Sequence, residues 1–438
     1  MQNNIIVAKF GGSSLADALQ FEKVKAIITK DTNRKYIIPS APGKRFKQDI
    51  KITDMLIECY NGKNLFPQIK NRYDEIISDL GLNISLSEEY SEIEKHISDN
   101  PEYNYIISRG EYLCGIILAA YLGFEFIDSA EVIKFNNNGT YDSELTNELL
   151  RKKLNNNAVI PGFYGSDNIG NIKTFSRSGS DVTGAIVAGA VGAKTYENWT
   201  DVPGVMVADP RVVESPKVIE TITYRELREL AYMGANVLHE DAIFPVRSAM
   251  IPINIKDTNN PNLPGTMIIP SESLNGDDDD IPTSEYLITG IAGKRGFRTL
   301  NIEKHMLNSE IGFCRKVLQV FEDNGISIEH IPTGIDTISV IYEDKFDGET
   351  NYKLMNEISV AVKPSRMSYE KDLALLAVVG RNMRNTRGIA AKIFTALENA
   401  GINIKMLDQG SSEINIIISV LEKDLNNAIR VIYKKFIK

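Results

Sequence analysis

Cysteine and histidine are scarce in this sequence and do not cluster. Its 438 residues include three cysteines, Cys59, Cys114 and Cys314, and four histidines. The cysteines are odd in number and far apart, and no histidine stands at a metal-ligand spacing from them. These absences argue against a disulfide framework and against a zinc site, so the sequence predicts no resident metal centre.

An excess of basic residues and long apolar runs are also missing. Lysine and arginine number 49 against 58 aspartates and glutamates, which gives a net charge of −9. Nucleic acids and anionic membranes are bound through basic stripes. No apolar run approaches the ~20 residues that span a bilayer, and no basic segment with an apolar core opens the chain. We therefore expect small-molecule ligands, no nucleic-acid or membrane partner, and a cytoplasmic location.

The common glycine signatures of nucleotide binding are absent too. No Gly-x-Gly occurs anywhere, and no Gly-Lys pair has the glycine that a Walker motif requires upstream. Neither a Rossmann dehydrogenase nor a P-loop enzyme fits this sequence.

The chain does contain an alternation of short apolar runs and helical patterns, which is typical of α/β proteins. Its length suggests about two to four domains at roughly 100–200 residues per domain. Thr223 and Glu226 form a capping-box pattern, which predicts a helix running towards Tyr232. The predicted strands are Ile5–Lys9, Lys35–Pro39, Tyr103–Ser108, Ala158–Pro161, Lys194–Asn198 and Ile251–Lys256, and the predicted helices include Phe21–Thr29, Glu111–Leu122 and Asp181–Val191.

A lysine and two glycines follow the first predicted strand, in the segment Lys9 to Ser14. Because glycine has no Cβ, the N–H groups of Gly11 and Gly12 can approach anionic oxygens, and Lys9 adds a positive charge. The segment therefore favours a phosphate site, although an ordinary strand-to-loop turn would have the same sequence.

Further polar, glycine-containing segments follow later strands or open helices. In an open parallel sheet, loops at the carboxyl ends of strands meet at the ligand. Ser180 and the first N–H groups of its helix could bind an anion, or form a simple N-cap. These segments are Ser40–Gly43, Ser108–Glu111, Gly162–Ser166, Arg177–Asp181, Thr200–Gly204 and Asp209–Arg211.

The last third of the chain contains a repeat behind a polar, acidic linker at 271–284. Phe321–Ile328 resembles Leu397–Ile404, and in each copy a helix ends at glycine before a strand begins. The first copy completes a ferredoxin-like βαββαβ unit, whereas the second ends after its last helix. We hypothesise that Tyr286–Ile291 supplies the missing strand, so that the first unit interrupts the second in sequence.

Five segments, in this order and followed by paired βαββαβ units, resemble the aspartokinase family: Lys9–Ser14, Arg177–Asp181, Thr200–Gly204, Asp209–Arg211 and Gly234–His239. The resemblance covers nearly the whole chain and implies a three-layer αβα amino-acid kinase domain with two ACT domains. On this basis the kinase domain spans 1–270, the first ACT domain 297–370, and the second 285–296 with 371–438. The implied reaction transfers the γ-phosphoryl group of ATP, with Mg²⁺, to the side-chain carboxylate of L-aspartate. Its product, 4-phospho-L-aspartate, leads to lysine, threonine and methionine.

The resemblance also implies a role for each site residue. Lys9 would neutralise the transferring phosphoryl group, and Asp181 would orient Lys9 or an Mg²⁺ complex. Arg177 would bind the α-carboxylate of aspartate and Glu111 its α-ammonium. Gly11, Gly12 and Ser13 would cradle the phosphates; Ser40, Thr53, Phe163 and Ser180 would line the aspartate site; Thr200, Asp201, Met206, Arg211 and Asn236 would contact the nucleotide. For Phe163 and Thr53, ordinary packing remains an equal alternative.

Two positions depart from the family pattern. Asn236 stands where many members have a second phosphate-binding lysine, and Met206 stands where an aromatic residue is common. Both changes bear on ATP affinity more than on the reaction class.

The ACT pair implies feedback regulation by an end-product amino acid, either lysine alone or lysine with threonine, and a dimer or higher homo-oligomer formed through ACT domains. The implied effector residues are Met306, Ser309, Gly312, Ser327, Ile328 and Glu329. Two alternatives remain open, a catalytically silent amino-acid sensor and another amino-acid kinase of the superfamily. We expect no homoserine dehydrogenase domain.

Overall fold

A computed structural model describes residues 4–136, 138–176, 178–235, 240–270 and 286–437. Arg177, Asn236 and the predicted linker 271–284 lie outside the described residues. The chain forms two compact units. The first contains the described residues of Met1–Val205, Val218–Leu227 and Val237–Asp280; the second contains those of Met206–Lys217, Arg228–Asn236 and Ile281–Lys438.

Strands and helices alternate along the first unit, as the sequence predicts. The strands are β1 Ile6–Phe10, β2 Arg34–Pro39, β3 Glu125–Phe126, β4 Lys134–Phe135, β5 Ala158–Val159, β6 Tyr164–Asp167, β7 Ile172–Thr174, β8 Thr195–Thr200, β9 Thr221–Thr223, β10 Ile253–Asp257 and β11 Thr266–Ile269. The helices are α1 Ala18–Lys30, α2 Ile52–Tyr60, α3 Phe66–Asp79, α4 Ser87–Asp99, α5 Tyr103–Leu122, α6 Ser129–Val132, α7 Ser143–Lys153, α8 Gly179–Val191, α9 Tyr224–Tyr232, which continues into the second unit, and α10 Glu240–Ser248.

An eight-stranded sheet organises the first unit, in the order β3-β5-β2-β1-β8-β10-β11-β9. Its strands run parallel except at the β10–β11 pair. Side chains alternate between the two faces of a strand. Ala8 and Phe10 pack with the core that includes α1, α2 and α5, so Lys9 between them points to the opposite face, where α8 lies against β1. Helices on both faces give the expected three layers.

The predicted strand Tyr103–Ser108 is wrong, because these residues form the first turns of α5. A short apolar run does not distinguish a strand from a buried helix. Here Ile106, Gly110, Leu113 and Ile117 continue one buried helical stripe. Ser108–Glu111 is therefore part of a helix instead of a loop. By length and composition α5 could cross a membrane, but 67% of that window is buried, as in a core helix.

The capping box at the start of α9 is confirmed. The N–H of Thr223 donates to Glu226 Oε2 at 2.9 Å, and the N–H of Glu226 donates back to Thr223 Oγ1 at 3.2 Å. This reciprocal pairing satisfies N–H groups that have no partner inside the helix, and it fixes where α9 begins.

The second unit contains a five-stranded antiparallel sheet in the order β13-β12-β14-β16-β15. Its strands are β12 Gly290–Glu303, β13 Thr337–Glu343, β14 Arg366–Val379, β15 Met406–Asp408 and β16 Asn415–Leu421, and its helices are α11 Phe313–Asp323, α12 Gly348–Val362, α13 Ile389–Asn399 and α14 Leu425–Phe436.

Two long strands, β12 and β14, each serve both halves of this sheet. Gly290 to Arg295 pairs with the carboxyl-terminal half of β14, which also pairs with β16, whereas Phe297 to Glu303 pairs with β13. The register shifts between Arg295 and Thr299, around the predicted unit boundary. The early strand segment Gly290–Arg295 therefore lies in the same part of the sheet as β16 of the late repeat, and it begins at Gly290 instead of Tyr286. The bounds of the two ACT domains stay a prediction.

Candidate active site

The predicted loops converge at the carboxyl ends of neighbouring strands. The N–H of Gly162, after β5, donates to the Pro39 carbonyl of β2 at 3.0 Å. The N–H of Ser40, after β2, donates to the Phe10 carbonyl of β1 at 3.0 Å. The N–H of Gly11 donates to the Trp199 carbonyl of β8, also at 3.0 Å. Because β5, β2, β1 and β8 are adjacent, these bonds join their loops into one surface.

A single 3₁₀ turn, Gly12–Leu15, follows β1 and forms the candidate phosphate cradle. The N–H of Gly11 is already bonded to Trp199, so Gly12 and Ser13 are left to supply donors; neither N–H meets an acceptor among the described residues. A Cβ on Gly12 would lie 2.7 Å from the Ala41 carbonyl oxygen, and one on Gly43 would lie 2.6 Å from the Gly12 carbonyl carbon. Backbone contact therefore requires glycine at both positions.

Lys9 and Asp181 form a largely buried ion pair beside this turn. Lys9 Nζ lies 2.6 Å from Asp181 Oδ1, and the two side chains are only 10% and 16% exposed. Asp181 is in the first turn of α8, which packs over the sheet face that Lys9 occupies. Asn198 contacts both groups: its Oδ1 accepts from Lys9 Nζ at 3.3 Å, and its Nδ2 donates to Asp181 Oδ1 at 3.0 Å. Sequence reasoning missed Asn198 as a site residue.

Glu111 is a fully buried carboxylic acid on α5. The neighbouring Gly110 packs so tightly that a Cβ would lie 2.8 Å from Ala41 Cβ and 3.2 Å from Ile52 Cγ2. Burial raises the pKa of Glu111 to about 8, although a backbone hydrogen bond from Ala41 opposes the shift. Its Oε2 has no hydrogen-bond partner among the described residues. Glu111 is therefore a carboxylate whose charged form this site leaves poorly compensated.

The other predicted aspartate-site residues fall around the same loops. Ser40 follows β2, and Thr53 lies in the first turn of α2; both are partly buried. Phe163 has a φ of +80°, a left-handed backbone that costs about 1–3 kcal/mol for a non-glycine residue. Its N–H donates to Thr183 Oγ1 of α8 at 3.1 Å, and Gly162 packs so closely on Ser180 that a Cβ would lie 2.5 Å from Ser180 Cβ.

The predicted nucleotide contacts are divided between the two units. Thr200 ends β8 in the first unit, and its hydroxyl donates to Asp201 Oδ1 at 3.2 Å. Met206 and Arg211 belong to the second unit. The Arg211 side chain is 84% exposed and hydrogen-bonds Asp209, which lowers the pKa of Asp209. Within the described ranges, no cluster of three or more His, Cys, Asp or Glu side chains could hold a metal ion.

The predicted effector residues lie in two places on the second unit. A short turn, Leu307–Ser309, precedes α11; Met306 is its N-cap and Ser309 its last residue. Gly312 is the N-cap of α11, with a φ of +81°. Ser327 is exposed. Ile328 and Glu329 instead line a groove of about 740 Å³ that also includes His330 and Asp408.

Comparison with known proteins identifies the family. Residues 4–257 match the amino acid kinase family, and residues 376–436 match the ACT domain family. Aspartokinase 3 of Bacillus subtilis is 36% identical over 455 residues, covering 98% of each chain. The crystal structure of Clostridium acetobutylicum aspartate kinase is 50% identical with a TM-score of 0.89, covering 99% of this chain and all of that one. The chain belongs to the aspartokinase family.

Escherichia coli aspartokinase III is a more distant structural relative in this family. Its R-state complex with aspartate and ADP is 26% identical with a TM-score of 0.74 and covers 98% of this chain and 99% of that one. Its T-state complex with lysine and aspartate is 25% identical with a TM-score of 0.72 and covers 99% of this chain and all of that one.

As an aspartokinase, the enzyme transfers the γ-phosphoryl group of ATP to the side-chain carboxylate of aspartate, and its ACT domains serve allosteric regulation. Its family membership sets aside the two alternatives that the sequence left open, the silent sensor and the kinase for another amino acid.

Proposed function

We propose that the aspartokinase reaction takes place over the carboxyl ends of β2, β1 and β8, with the phosphoryl group at Lys9 and aspartate at Glu111. The observation that carries this assignment is the buried Lys9–Asp181 pair beside the N–H groups of Gly12 and Ser13, which meet no acceptor in the described part of the chain. A cation and free backbone donors at one point favour a phosphoryl group, whose transition state spreads negative charge over its oxygens.

The chemistry needs positive charge more than it needs a base. An ionised side-chain carboxylate is already a nucleophile, so no residue has to remove a proton. Lys9 would stabilise the transferring group, while Asp181 holds Lys9 in place from α8. Mg²⁺ is usually held by one or two protein carboxylates and the nucleotide phosphates. Asp181 is the residue that fits this role, and bound Mg²⁺ would neutralise phosphate charge.

Recognition of aspartate is assigned to the groups around Glu111. The substrate ammonium would supply the partner that the Glu111 carboxylate lacks, and Ser40, Thr53, Phe163 and Ser180 would surround the substrate. Arg177, for the α-carboxylate, and Asn236, for the nucleotide, stay predictions from the family pattern. The same holds for Thr200, Asp201, Met206 and Arg211.

The reaction is tested by ADP release with Mg-ATP and a panel of acidic amino acids. We expect turnover with L-aspartate and none with L-glutamate, whose carboxylate would sit one methylene too far along. A Lys9→Ala variant under the same conditions controls for contaminating ATPase. Absence of aspartate-dependent ADP formation would reject the proposed activity, and normal turnover by Lys9→Ala would reject the proposed site.

We also propose that lysine, alone or with threonine, inhibits the enzyme through the first ACT domain, taken as 297–370, with 285–296 and 371–438 forming the second. Lysine bound in the T-state structure of the E. coli relative supports this choice. Glu329 is the group suited to the effector ammonium; it now accepts a hydrogen bond from Tyr232 Oη at 2.5 Å. Assembly as a dimer or larger homo-oligomer through ACT domains, a cytoplasmic location, and a place in lysine, threonine and methionine synthesis complete the proposal.

Aspartate titrations with and without lysine, threonine and methionine test this regulation. We expect lysine to lower the rate and Glu329→Ala to weaken that inhibition. A rate unaffected by any of the three amino acids, alone or combined, would reject the regulatory proposal. Full lysine sensitivity in Glu329→Ala would reject only the placement of the effector.

A further inference from the structure

Asn198 lies beside Lys9 on the neighbouring strand. The parallel β1–β8 register pairs Lys9 directly with Asn198, so both side chains project from the same face of the sheet. Asn198 is 5% exposed, in the middle of the sheet. Buried parallel strands are usually aliphatic, and a buried amide is costly unless both of its ends are hydrogen-bonded. An asparagine at this position therefore requires an explanation.

Its amide closes a triangle with the ion pair. Asn198 Oδ1 accepts from Lys9 Nζ at 3.3 Å, Asn198 Nδ2 donates to Asp181 Oδ1 at 3.0 Å, and Lys9 Nζ lies 2.6 Å from the same carboxylate oxygen. Each of the three groups thus contacts the other two. An amide carries its acceptor and its donors on two separate atoms, so it can meet the ammonium and the carboxylate at the same time.

We propose that Asn198 is a positioning residue for phosphoryl transfer, which fixes the Lys9 ammonium relative to Asp181. An ion pair with one contact leaves the ammonium free to turn about that contact. With two of its three N–H groups held, the orientation of Lys9 is set before ATP binds, and one N–H remains for a phosphoryl oxygen. This inference rests on the proposed role of Lys9.

Asn198→Leu tests the proposal, because leucine has a similar size and suits a buried strand but makes neither hydrogen bond. Hydrogen bonds to charged groups have a typical strength that corresponds to about 10- to 100-fold in rate. We expect kcat to fall by that factor while the KM for aspartate changes less than about threefold. Thr146→Val is the matched control, since it removes a buried hydrogen bond to the Lys134 N–H elsewhere in the same unit; its kcat should stay near the wild-type value.

Asn198→Thr and Asn198→Val provide a readout that a purely structural role would not move. The two side chains have nearly the same shape, but only the threonine hydroxyl can both donate and accept a hydrogen bond. The kcat of Asn198→Thr should therefore exceed that of Asn198→Val, whereas a purely structural role would give the two variants the same kcat.

The outcomes separate this inference from the proposed active site. Wild-type kcat in Asn198→Leu, or equal kcat in Asn198→Thr and Asn198→Val, overturns the positioning role. If Asn198→Leu does not fold, the comparison of Asn198→Thr with Asn198→Val decides alone. An active Lys9→Ala variant would instead overturn the site assignment. An inactive Lys9→Ala together with a normal Asn198→Leu would reject Asn198 only.

Discussion

The two ends of the candidate active site differ in the partners that they give to their carboxylates. At the proposed phosphoryl end, Asp181 contacts a lysine ammonium at 2.6 Å and an asparagine amide at 3.0 Å. At the proposed aspartate end, Glu111 is buried, one of its oxygens has no partner among the described residues, and burial raises its pKa to about 8. The first end is electrostatically complete before ligand arrives, whereas the second end is not.

On the proposed site assignment, this difference follows from the charges of the two ligands. ATP is a polyanion, so the protein has to supply a fixed cation, and a fixed cation in a largely buried site needs its own counter-charge. Aspartate carries an ammonium, so it can itself supply the charge that Glu111 lacks. The comparison therefore predicts that the phosphoryl end controls the rate and the aspartate end controls affinity.

Lys9→Ala should have the largest effect. Removing the cation leaves Asp181 buried beside incoming phosphate, and loss of a charge that contacts the transferring group commonly costs about 10³-fold in kcat. Steady-state kinetics would measure it, with Lys134→Met as the control because Lys134 is a partly buried lysine bonded to the Ala130 carbonyl, elsewhere in the unit. A change confined to the KM for aspartate would contradict the prediction that the phosphoryl end controls the rate.

Glu111→Gln should act mainly on aspartate affinity. Truncating one partner of a buried charge pair commonly costs about 2–5 kcal/mol, or roughly 30-fold and upward in KM. Since binding requires the charged form, wild-type kcat/KM for aspartate should rise with pH towards the Glu111 pKa of about 8. The variant should lose this slope. A pH profile shared by both proteins would mean that another group carries the titration.

The same residue should oppose folding at high pH. Its folded pKa of about 8 lies above the ordinary glutamate value of 4.5, so the folded state binds the extra proton and stability falls as the pH rises through that window. At pH 9, Glu111→Gln should therefore have a higher free energy of unfolding than wild type, by on the order of a few kcal/mol, as measured by urea denaturation. This gain should shrink at pH 5. The exposed Glu88→Gln serves as the control; an equal gain at both pH values would point to packing instead.

Tyr232→Phe should have the smallest effect and extends the comparison to the second unit. Glu329 is a partly buried carboxylate with a protein partner, Tyr232, whose pKa is raised to about 12 by burial and by this hydrogen bond. Removing the partner should free Glu329 for an effector ammonium and tighten lysine inhibition by about two- to fivefold, the scale of one hydrogen bond. Tyr352→Phe, at a 69% exposed tyrosine of the same unit, is the control. Weaker lysine inhibition would contradict the inference that Tyr232 competes with the effector ammonium for Glu329.

Local patterns were sufficient for much of the fold. The predicted helix Asp181–Val191 lies within α8, and the Thr223–Glu226 capping box is confirmed. The repeat also predicted that an early strand joins the late one, because a βαββαβ unit without one strand has to obtain it elsewhere, and Gly290–Arg295 does pair with the part of β14 that also pairs with β16. A helix or a capping box depends on residues that are close together in sequence, and a missing strand is found by counting the strands of the repeated unit.

The features that the sequence did not reveal depend on register and burial. Ser108–Glu111 has the polar, glycine-containing composition of a loop, but it lies inside α5, which begins at Tyr103. Asn198 became relevant only when the β1–β8 register placed it beside Lys9. The pKa of Glu111 is raised by burial, and burial depends on residues far apart in sequence that pack together, so no single segment encodes it.

The nested strands of the second unit have a consequence for how the chain folds. Glu303 and Arg366 are partners at one end of the β12–β14 ladder, and Gly290 and Val379 at the other. As the chain is synthesised, the segment between Glu303 and Arg366 can fold on its own local contacts, and doing so brings its two ends together. The long loop that separates Gly290 from Val379 is then already closed, which removes most of the entropy cost of pairing them. In the second unit, the segment between Glu303 and Arg366 should therefore fold first. The strand pairs nearer Gly290 and Val379 should then form on it.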